Sequence, residues 1–530
     1  MKEEIKRVIG RERYEECLKA ATVNRDTLGE ILRDNRDSAI GRKYSFSDIK
    51  DPDEFRKRVP ISDYDDFADD IADDLDGKKH LLSSYPVITH ACTSGSSSKR
   101  KKLIPVTDKM LSSYAQDPDL YIEQILRENG GKRFHVNVFR TELHGAWNDP
   151  VMMSVYYRNK WESNLADEKT YVGGSRLLFG ENPGDTAFAK AYAALLTEDI
   201  VVLETVFQYD FLPFFRYIEE NWQLLVDTAK KGSIPDSVSL SKQIREELEA
   251  FTVRSGRLQK IEAECKKGFK GIAKRLWPSL RLLSGISSRA FFAEEAMMEY
   301  YGGDIPRYFF LYGSSEFYYG NPVAENSYGY VLMPRHNFFE FLPFDEEDDS
   351  EDTLLPEQLE EGKLYEVIVT TYGGLYRYRT FDIIKVTGFI GESPVAEFVT
   401  RKGLALNLVG EKTSLEQLEL AVHELKNNGI RVESYCFAAD MKTTPGRYLV
   451  ALEIPEGEMP DADNISEQID ALIKQQNWDY EDLRNLNELG APGVLLFDPK
   501  DFRVFMEKNG LTGGHEKPKH IAPGGFMHET

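Results

Sequence analysis

From about residue 86 onward, short runs rich in β-branched and aromatic residues alternate with longer amphipathic stretches, and this alternation is what most restricts the fold. VITHA, FHVNVF, DIVVLETV, LRLLSGI, PRYFFLYG and LYEVIVTTY read as strands. DKMLSSYAQDPDLYIEQILREN, FLPFFRYIEENWQLLVDTAKKG and SRAFFAEEAMMEYY read as helices. Strands that alternate with helices must bury sheet faces under helical stripes, so the chain is predicted to be α/β, with mixed sheets covered by helices. Residues 1–34 add an all-helical start, with apolar Ile5, Val8, Ile9, Leu28, Ile31 and Leu32 at helical spacing.

The pattern changes after Arg401-Lys402-Gly403. A helix over 414–426 opens with the capping box Ser414/Gln417, carries Leu415, Leu418, Val422 and Leu425 inward, and stops at Asn427-Asn428-Gly429. Two strands, two helices, the strand GVLLF and a helix over 499–509 follow. We therefore expect a large domain over 1–402 and a small α+β domain over 403–530. Two acidic stretches, 62–76 and 344–363, read as a solvated helical face and a surface loop.

Charge narrows the partners. The chain has 66 Lys+Arg against 89 Asp+Glu, a formal charge of −23, which disfavours nucleic acid or an anionic membrane as a partner, since each selects a basic face. No run of ~18 apolar residues is present to span a bilayer. Cys17, Cys92, Cys265 and Cys436 are too scattered for a zinc or redox motif, and the nine histidines are scattered too. With neither an export signal nor a disulfide pattern, the expected compartment is the reducing cytoplasm.

Three stretches can carry chemistry. In Thr93-Ser94-Gly95-Ser96-Ser97-Ser98-Lys99-Arg100-Lys101-Lys102, small residues let backbone amides turn inward, hydroxyls add donors and cations follow at once. Such a concave donor surface suits a polyphosphate, although the second glycine of a Walker loop is missing; a plain flexible connection or a nuclear-import tetrapeptide is the alternative. In Tyr312-Gly313-Ser314-Ser315-Glu316, an aromatic at a strand end can stack on a base, and the Ser and Glu just beyond can hold phosphate or Mg²⁺. The alternative is a tight turn with a buried tyrosine. In Tyr376-Arg377-Tyr378-Arg379-Thr380-Phe381-Asp382, an aspartate at a strand start can accept both hydroxyls of a ribose, or it can simply pair across strands with an arginine.

The order of these stretches, ahead of a small C-terminal domain with a late lysine, resembles the adenylate-forming superfamily. The fit is closest to the acyl acid amido synthetases of the Gretchen Hagen (auxin-responsive) family. ILRDNRDSAIGRKYSFSDIKDPDEFRKRVPISDYDDF, YGSSEFYYGN, NFFEFLPF, LYRYRTFDIIKVTGF, Gly410-Glu411-Lys412, WDYEDLR, LGAPGV and the late EKPKH carry the resemblance over nearly the whole chain. It implies a large N-terminal domain of mixed sheets with a β-barrel-like element, and a mobile C-terminal lid.

The resemblance also implies ATP and Mg²⁺, and a carboxylic acid and an amine as substrates, the amine being most simply an amino acid. Thr93, Ser94, Gly95, Ser96, Ser97 and Lys102 would wrap the phosphates. Tyr312, Gly313, Ser314 and Ser315 would contact the nucleotide, with Tyr312 on adenine, and Glu316 would hold Mg²⁺. Asp382 would take the ribose, Arg401 would flank the hinge, and Lys517 would arrive from the C-terminal domain as the catalytic lysine.

The chain departs from the family pattern at Phe381, where glycine is usual, at Ser98-Lys99 and Lys101 in the loop, and at His515, where glutamine is common. Two other readings share these residues: a ligase whose acceptor is a thiol, and a non-catalytic binder of nucleotide or acyl acid. Phe207, Tyr209, Phe211, Phe214 and Phe215 are candidates to line the acid pocket, or are core. His90 and His336 read as packed or surface histidines rather than general bases.

Overall fold

The computed structural model describes residues 2–78, 80–93, 102–114, 117–139, 152–163, 166–179, 186–287, 298–344, 352–402, 404–509, 511 and 521–522. These form two compact units. The first holds the described residues of 1–92, 103–289 and 294–399, and the second those of 400–530 together with Thr93 and Lys102.

The first unit opens with helices Lys2–Ile9, Arg11–Cys17 and Ala20–Asn35 (α1). Strands β1 (Val87–Thr93) and β2 (Lys102–Thr107) then pair with each other. Next comes a four-stranded parallel sheet, β3 (Lys132–His135), β4 (Ile200–Phe207), β5 (Leu282–Ile286) and β6 (Arg307–Tyr308), in sequential order. Both of its faces are covered, and buried polar residues such as Arg133, His135, Glu204 and Thr205 lie among apolar ones. Val202 and Leu282 pack toward Leu120–Asn129 (α2) and Met152–Glu162 (α3), while Phe134, Leu203 and Leu283 pack toward Thr186–Leu196 (α4) and Phe211–Lys231 (α5).

Two expected elements are broken, both for tertiary reasons. The predicted helix over 108–129 is instead a helix at Asp108–Tyr114, a 3₁₀ turn at Asp117–Asp119, and α2. Pro118 removes a backbone donor, and the two aspartates flanking it are drawn inward by buried bases. Asp117 accepts from Arg13 at 2.9 Å and pairs with His336 at 2.7 Å, and Asp119 accepts from Arg133 at 2.6 Å and from Lys160. PRYFFLYG, read as one strand, is two: β6 ends the parallel sheet and β7 (Tyr312–Gly313) begins the next one. FHVNVF contributes only its first two residues to β3. SRAFFAEEAMMEYY falls mostly outside the described residues, as do 345–351 of the acidic stretch 344–363; the rest of that stretch is not all surface, since it carries a 3₁₀ turn at Pro356–Gln358 and buries Thr353, Leu355 and Leu359. The other acidic stretch carries the helix Ala68–Leu75, which buries only Ile71.

The second sheet of this unit has seven strands: β7, β8 (Tyr318–Pro322), β9 (Tyr330–Leu332), β10 (Asn337–Pro343), β11 (Leu364–Thr371), β12 (Tyr378–Ile390) and β13 (Ser393–Arg401). Their order is β10-β11-β12-β13-β9-β8-β7. The β10 edge is covered by α1, whose Asn24 donates to the Phe339 carbonyl at 3.0 Å and accepts from the Phe339 amide at 2.9 Å, standing in for a neighbouring strand.

β7 and β12 are four places apart in that order, which in a flat sheet at ~4.8 Å per step is ~19 Å, beyond the joint reach of two side chains. Yet Tyr312 on β7 donates its hydroxyl to Asp382 on β12 at 3.0 Å. The sheet therefore curls on itself between them, which is the barrel-like element that the family resemblance implied.

The second unit pairs β14 (Leu404–Leu406) with β15 (Thr413–Ser414), then runs into Leu415–Asn427 (α6), capped by the expected Ser414/Gln417 box. A four-stranded sheet follows, made of β16 (Ser434–Asp440), β17 (Arg447–Glu453), β18 (Gly493–Phe497) and β19 (Ile521–Ala522) in the order β18-β17-β16-β19. Tyr448 and Val450 face α6 and Ala462–Lys474 (α7), whereas Leu449 and Ala451 face Pro499–Lys508 (α8). The unit is α+β.

Candidate active site

The curled sheet brings two of the three candidate stretches together. Gly313 closes a tight turn in which the Ser314 amide donates to the Phe317 carbonyl at 2.9 Å, and a Cβ on Gly313 would stand 2.7 Å from that carbonyl oxygen. The turn aims Glu316 inward, where its carboxylate accepts from Ser314 Oγ at 2.6 Å and from the Tyr378 hydroxyl at 3.4 Å. Ser315, at the apex, is half-buried. Tyr312 is buried, its ring ringed by Phe317, Tyr319, Tyr330 and Phe398 with centroids 4.9–6.0 Å away, and its hydroxyl reaches Asp382. Tyr312 to Asp382 and Tyr378 to Glu316 thus form two crossed ties between the turn and β12.

β12 presents Asp382 through an irregularity. Ile368 pairs with Arg379 and Glu366 with Ile383, so Thr380, Phe381 and Asp382 stand opposite Val367 alone. Thr380 Oγ1 donates to the Val367 carbonyl at 2.8 Å and accepts from the Asp382 amide at 3.1 Å. Phe381, at the apex, has φ +61°, and Arg377, just before β12, has φ +47°. A bulky residue in the left-handed region costs about 1–3 kcal/mol and persists where its surroundings over-determine it. For Arg377 the surroundings are visible: its guanidinium donates to Glu340 and to the Arg56 and Val59 carbonyls, and its amide donates to Thr370.

Thr93 ends β1 and is buried, and Lys102 begins β2 and is half-buried, so the candidate phosphate loop springs from two paired strands. Ser94, Gly95, Ser96 and Ser97 lie outside the described residues, as do Lys517 and His515. Arg401 is the last residue of β13 and is half-buried. In the second unit, Gly410-Glu411-Lys412 is a built loop. The Glu411 carboxylate accepts the Leu408 and Val409 amides at 2.7 and 2.9 Å and the Tyr448 hydroxyl at 2.7 Å, and Lys412 is held at φ +46°.

The donors around Glu316 suit a hard cation: one carboxylate with hydroxyls of Ser314 and Tyr378. Among the described residues no group of three or more His, Cys, Asp or Glu could cage a metal. A single carboxylate with nearby hydroxyls is a donor set of the kind that can hold Mg²⁺, whose remaining positions usually go to substrate phosphates and water.

Several buried groups carry no signal in the sequence. His336 is fully buried against Asp117, and Phe211, Phe214 and Phe215 are core on α5 rather than pocket lining. Phe207, at the end of β4, is half-buried, and the Tyr209 side chain is outside the described residues. A buried ionic network joins Arg133, Glu204, Asp119 and Lys160 between the parallel sheet and α3, with the guanidinium 4.5 Å from the Tyr171 ring centre. Burial pushes the Asp119 carboxyl up, but Lys160 and Arg133 outweigh that and hold it well below the usual range. Lys190 on α4 is buried, and among the described residues no carboxylate is bonded to it. It donates to the His135 and Asn137 carbonyls at 2.8 Å each, and burial lowers its ammonium to about 7.

Residues 11–307 match the GH3 family N-terminal domain, 330–401 its central domain and 416–523 its C-terminal domain. An indole-3-acetic acid-amido synthetase GH3.8 of Oryza sativa subsp. indica is 30% identical over 514 residues, covering 92% of this chain and 85% of the relative. The indole-3-acetic acid-amido synthetase GH3.3 of Arabidopsis thaliana is 28% identical, covering 82% and 76%. The solved AtGH3.15 acyl acid amido synthetase in complex with 2,4-DB superposes with a TM-score of 0.67 at 21% identity, over 96% of this chain and 92% of that one. A 2-hydroxyisobutyryl-CoA ligase shares the fold more distantly, with a TM-score of 0.50 at 11% identity over 95% and 89%. With all three domains matched in order along its length, the chain belongs to the GH3 family.

Proposed function

We propose that the protein is an ATP-dependent ligase that joins a carboxylic acid to the amine of an amino acid through an acyl-adenylate. The observation that carries this reading is the pair of crossed ties, which bring Tyr312, Glu316 and Asp382 from distant stretches onto one wall. The named activities of the GH3 relatives support it.

In the first half-reaction an oxygen of the substrate carboxylate attacks the α-phosphorus of ATP in line, the bond to the β-phosphate bridging oxygen breaks, and pyrophosphate leaves. The barrier lies in charge carried by phosphoryl oxygens, so fixed donors do the catalysis. Thr93, Ser94, Gly95, Ser96, Ser97 and Lys102 supply those donors, and Lys517 adds a cation at the reacting phosphate. Tyr312 and the backbone of Gly313, Ser314 and Ser315 bound the adenine side, and Asp382 accepts the ribose hydroxyls. Glu316 and Ser314 would hold Mg²⁺, which would supply charge neutralisation on the phosphates.

In the second half-reaction the neutral amine attacks the acyl carbonyl, an amide forms, the acyl–phosphate bond breaks, AMP leaves and the proton released from the amine nitrogen passes to water. The second domain turns about the segment at Arg401, so that each half-reaction in turn excludes water from an anhydride that hydrolyses readily. The protein works in the cytoplasm, on small molecules.

Carboxylate-dependent ATP–pyrophosphate exchange with Mg²⁺ and a panel of aryl, indole-type and fatty acids tests the first half. Exchange with one acid class is expected, followed by amino-acid-stimulated AMP release. Stimulation by coenzyme A but by no amine would replace the acceptor. Absence of exchange with ATP still bound would leave a binding protein.

A further inference from the structure

Phe381 is a large residue placed where the backbone favours glycine. It sits at φ +61° at the apex of the three-residue irregularity opposite Val367. The two residues before it are pinned. Thr380 Oγ1 bridges the Val367 carbonyl and the Asp382 amide, so it also holds the residue after Phe381. Arg379, two positions before Phe381, makes a two-pronged ion pair with Glu366, Nε to Oε1 at 2.8 Å and Nη2 to Oε2 at 2.6 Å. The guanidinium so fixed lies 5.3 Å from the centre of the Phe381 ring, within range of a cation–π contact, and the ring is half-buried. The residue immediately after this strained apex is Asp382, whose Oδ2 receives the Tyr312 hydroxyl at 3.0 Å.

Glycine would adopt this conformation without strain, and would also leave it easily, because it has the most freedom to lose. A phenylalanine has few other backbone conformations here once its ring is held under Arg379. We propose that Phe381 is a positioning residue for Asp382: clamped by the Arg379–Glu366 pair, it locks the irregular segment of β12 in one conformation and so fixes the carboxylate that receives the ribose. The inference rests on the assignment of Asp382 to the ribose hydroxyls.

The test measures binding of ATP and of 2′-deoxy-ATP to the full-length protein by calorimetry, together with KM and kcat for ATP in pyrophosphate exchange. The variants are Phe381→Gly, Phe381→Tyr and Asp382→Ala. Phe381→Gly is expected to keep or raise the melting temperature, since the strain is relieved, and to weaken ATP binding roughly tenfold, the order of one weakened hydrogen bond to a charged group. It should also lose much of the preference for ATP over 2′-deoxy-ATP, with kcat little changed. Phe381→Tyr, which keeps the ring, should restore both affinity and preference. A Phe381→Gly protein with wild-type affinity and preference, beside a weakened Asp382→Ala, would overturn the positioning role and leave the ribose assignment standing. An Asp382→Ala protein with unchanged affinity would overturn that assignment and this inference with it.

Discussion

Tyr312 and Asp382, 70 positions apart in the chain and four strands apart in the sheet, share a hydrogen bond of 3.0 Å. Each residue is buried, and each belongs to a stretch proposed to hold the nucleotide. The bond is therefore both a closure of the curled sheet and part of the wall it makes. These two roles separate under mutation. Tyr312→Phe keeps the ring among its four aromatic neighbours but removes a donor to a carboxylate, and should cost about 1.5–3 kcal/mol of stability in urea unfolding. Asp382→Ala removes the group proposed to hold ribose and should raise the KM for ATP more than Tyr312→Phe does. Equal KM values for wild type and Asp382→Ala would remove Asp382 from the nucleotide site.

Lys517→Ala tests the proposed catalytic lysine. Loss of one preorganised charge at the reacting phosphate should slow adenylation by about 10²–10³-fold while ATP binding is kept. Single-turnover acyl-adenylate formation, set beside equilibrium ATP binding, separates the two effects. An unchanged rate would rule the lysine out of the chemistry.

Lys190 gives a pH signature. Its folded-state value of about 7 lies below the ordinary 10.5, so between those limits the unfolded chain binds more protons than the folded one. Stability then increases with pH across that window, and the penalty of burying the ammonium is greatest below it. Relative to Lys190→Met, the wild type should gain about 2 kcal/mol between pH 7 and 9, read from paired urea titrations. Parallel pH profiles would show that the lysine stays charged when folded. Its two carbonyl acceptors would then suffice to hold the charge.

Much of the architecture can be read from the sequence because it is written locally. The Ser414/Gln417 box sets the start of α6, and the β-branched runs at 199–206 and 364–372 become β4 and β11. What escapes the sequence is decided by distant partners. Asp117 and Asp119 break a helix because Arg13, His336, Arg133 and Lys160 are waiting inside, and PRYFFLYG divides because its two ends serve different sheets. The candidate residues themselves stand out by type and order, as Tyr312, Glu316 and Asp382 do. Their mutual ties do not: Tyr378 looks like any strand residue until the sheet curls and places its hydroxyl on Glu316. The left-handed backbone of Phe381 is not written in the residue itself, and only the glycine usual at that place in the resembled family points to it.

Arg133→Met should be among the most destabilising single changes in the first unit. It would leave Glu204 without its bidentate partner and Asp119 with one base fewer, all of them buried. Breaking such a pair costs about 3–5 kcal/mol. A loss under ~1 kcal/mol in urea unfolding would mean that water reaches these groups.

The same network shapes how the family can diverge. A fully apolar replacement of Arg133, Glu204, Asp119 and Lys160 is energetically acceptable, because well-packed hydrophobic residues often match or exceed a buried ion pair. Every single step towards it first strands a charge, at a loss comparable to much of the ~5–15 kcal/mol margin of a typical domain. Descendants of this chain should therefore keep the four residues as an inherited block, or exchange them together, and intermediates with one member changed should be rare in its lineage.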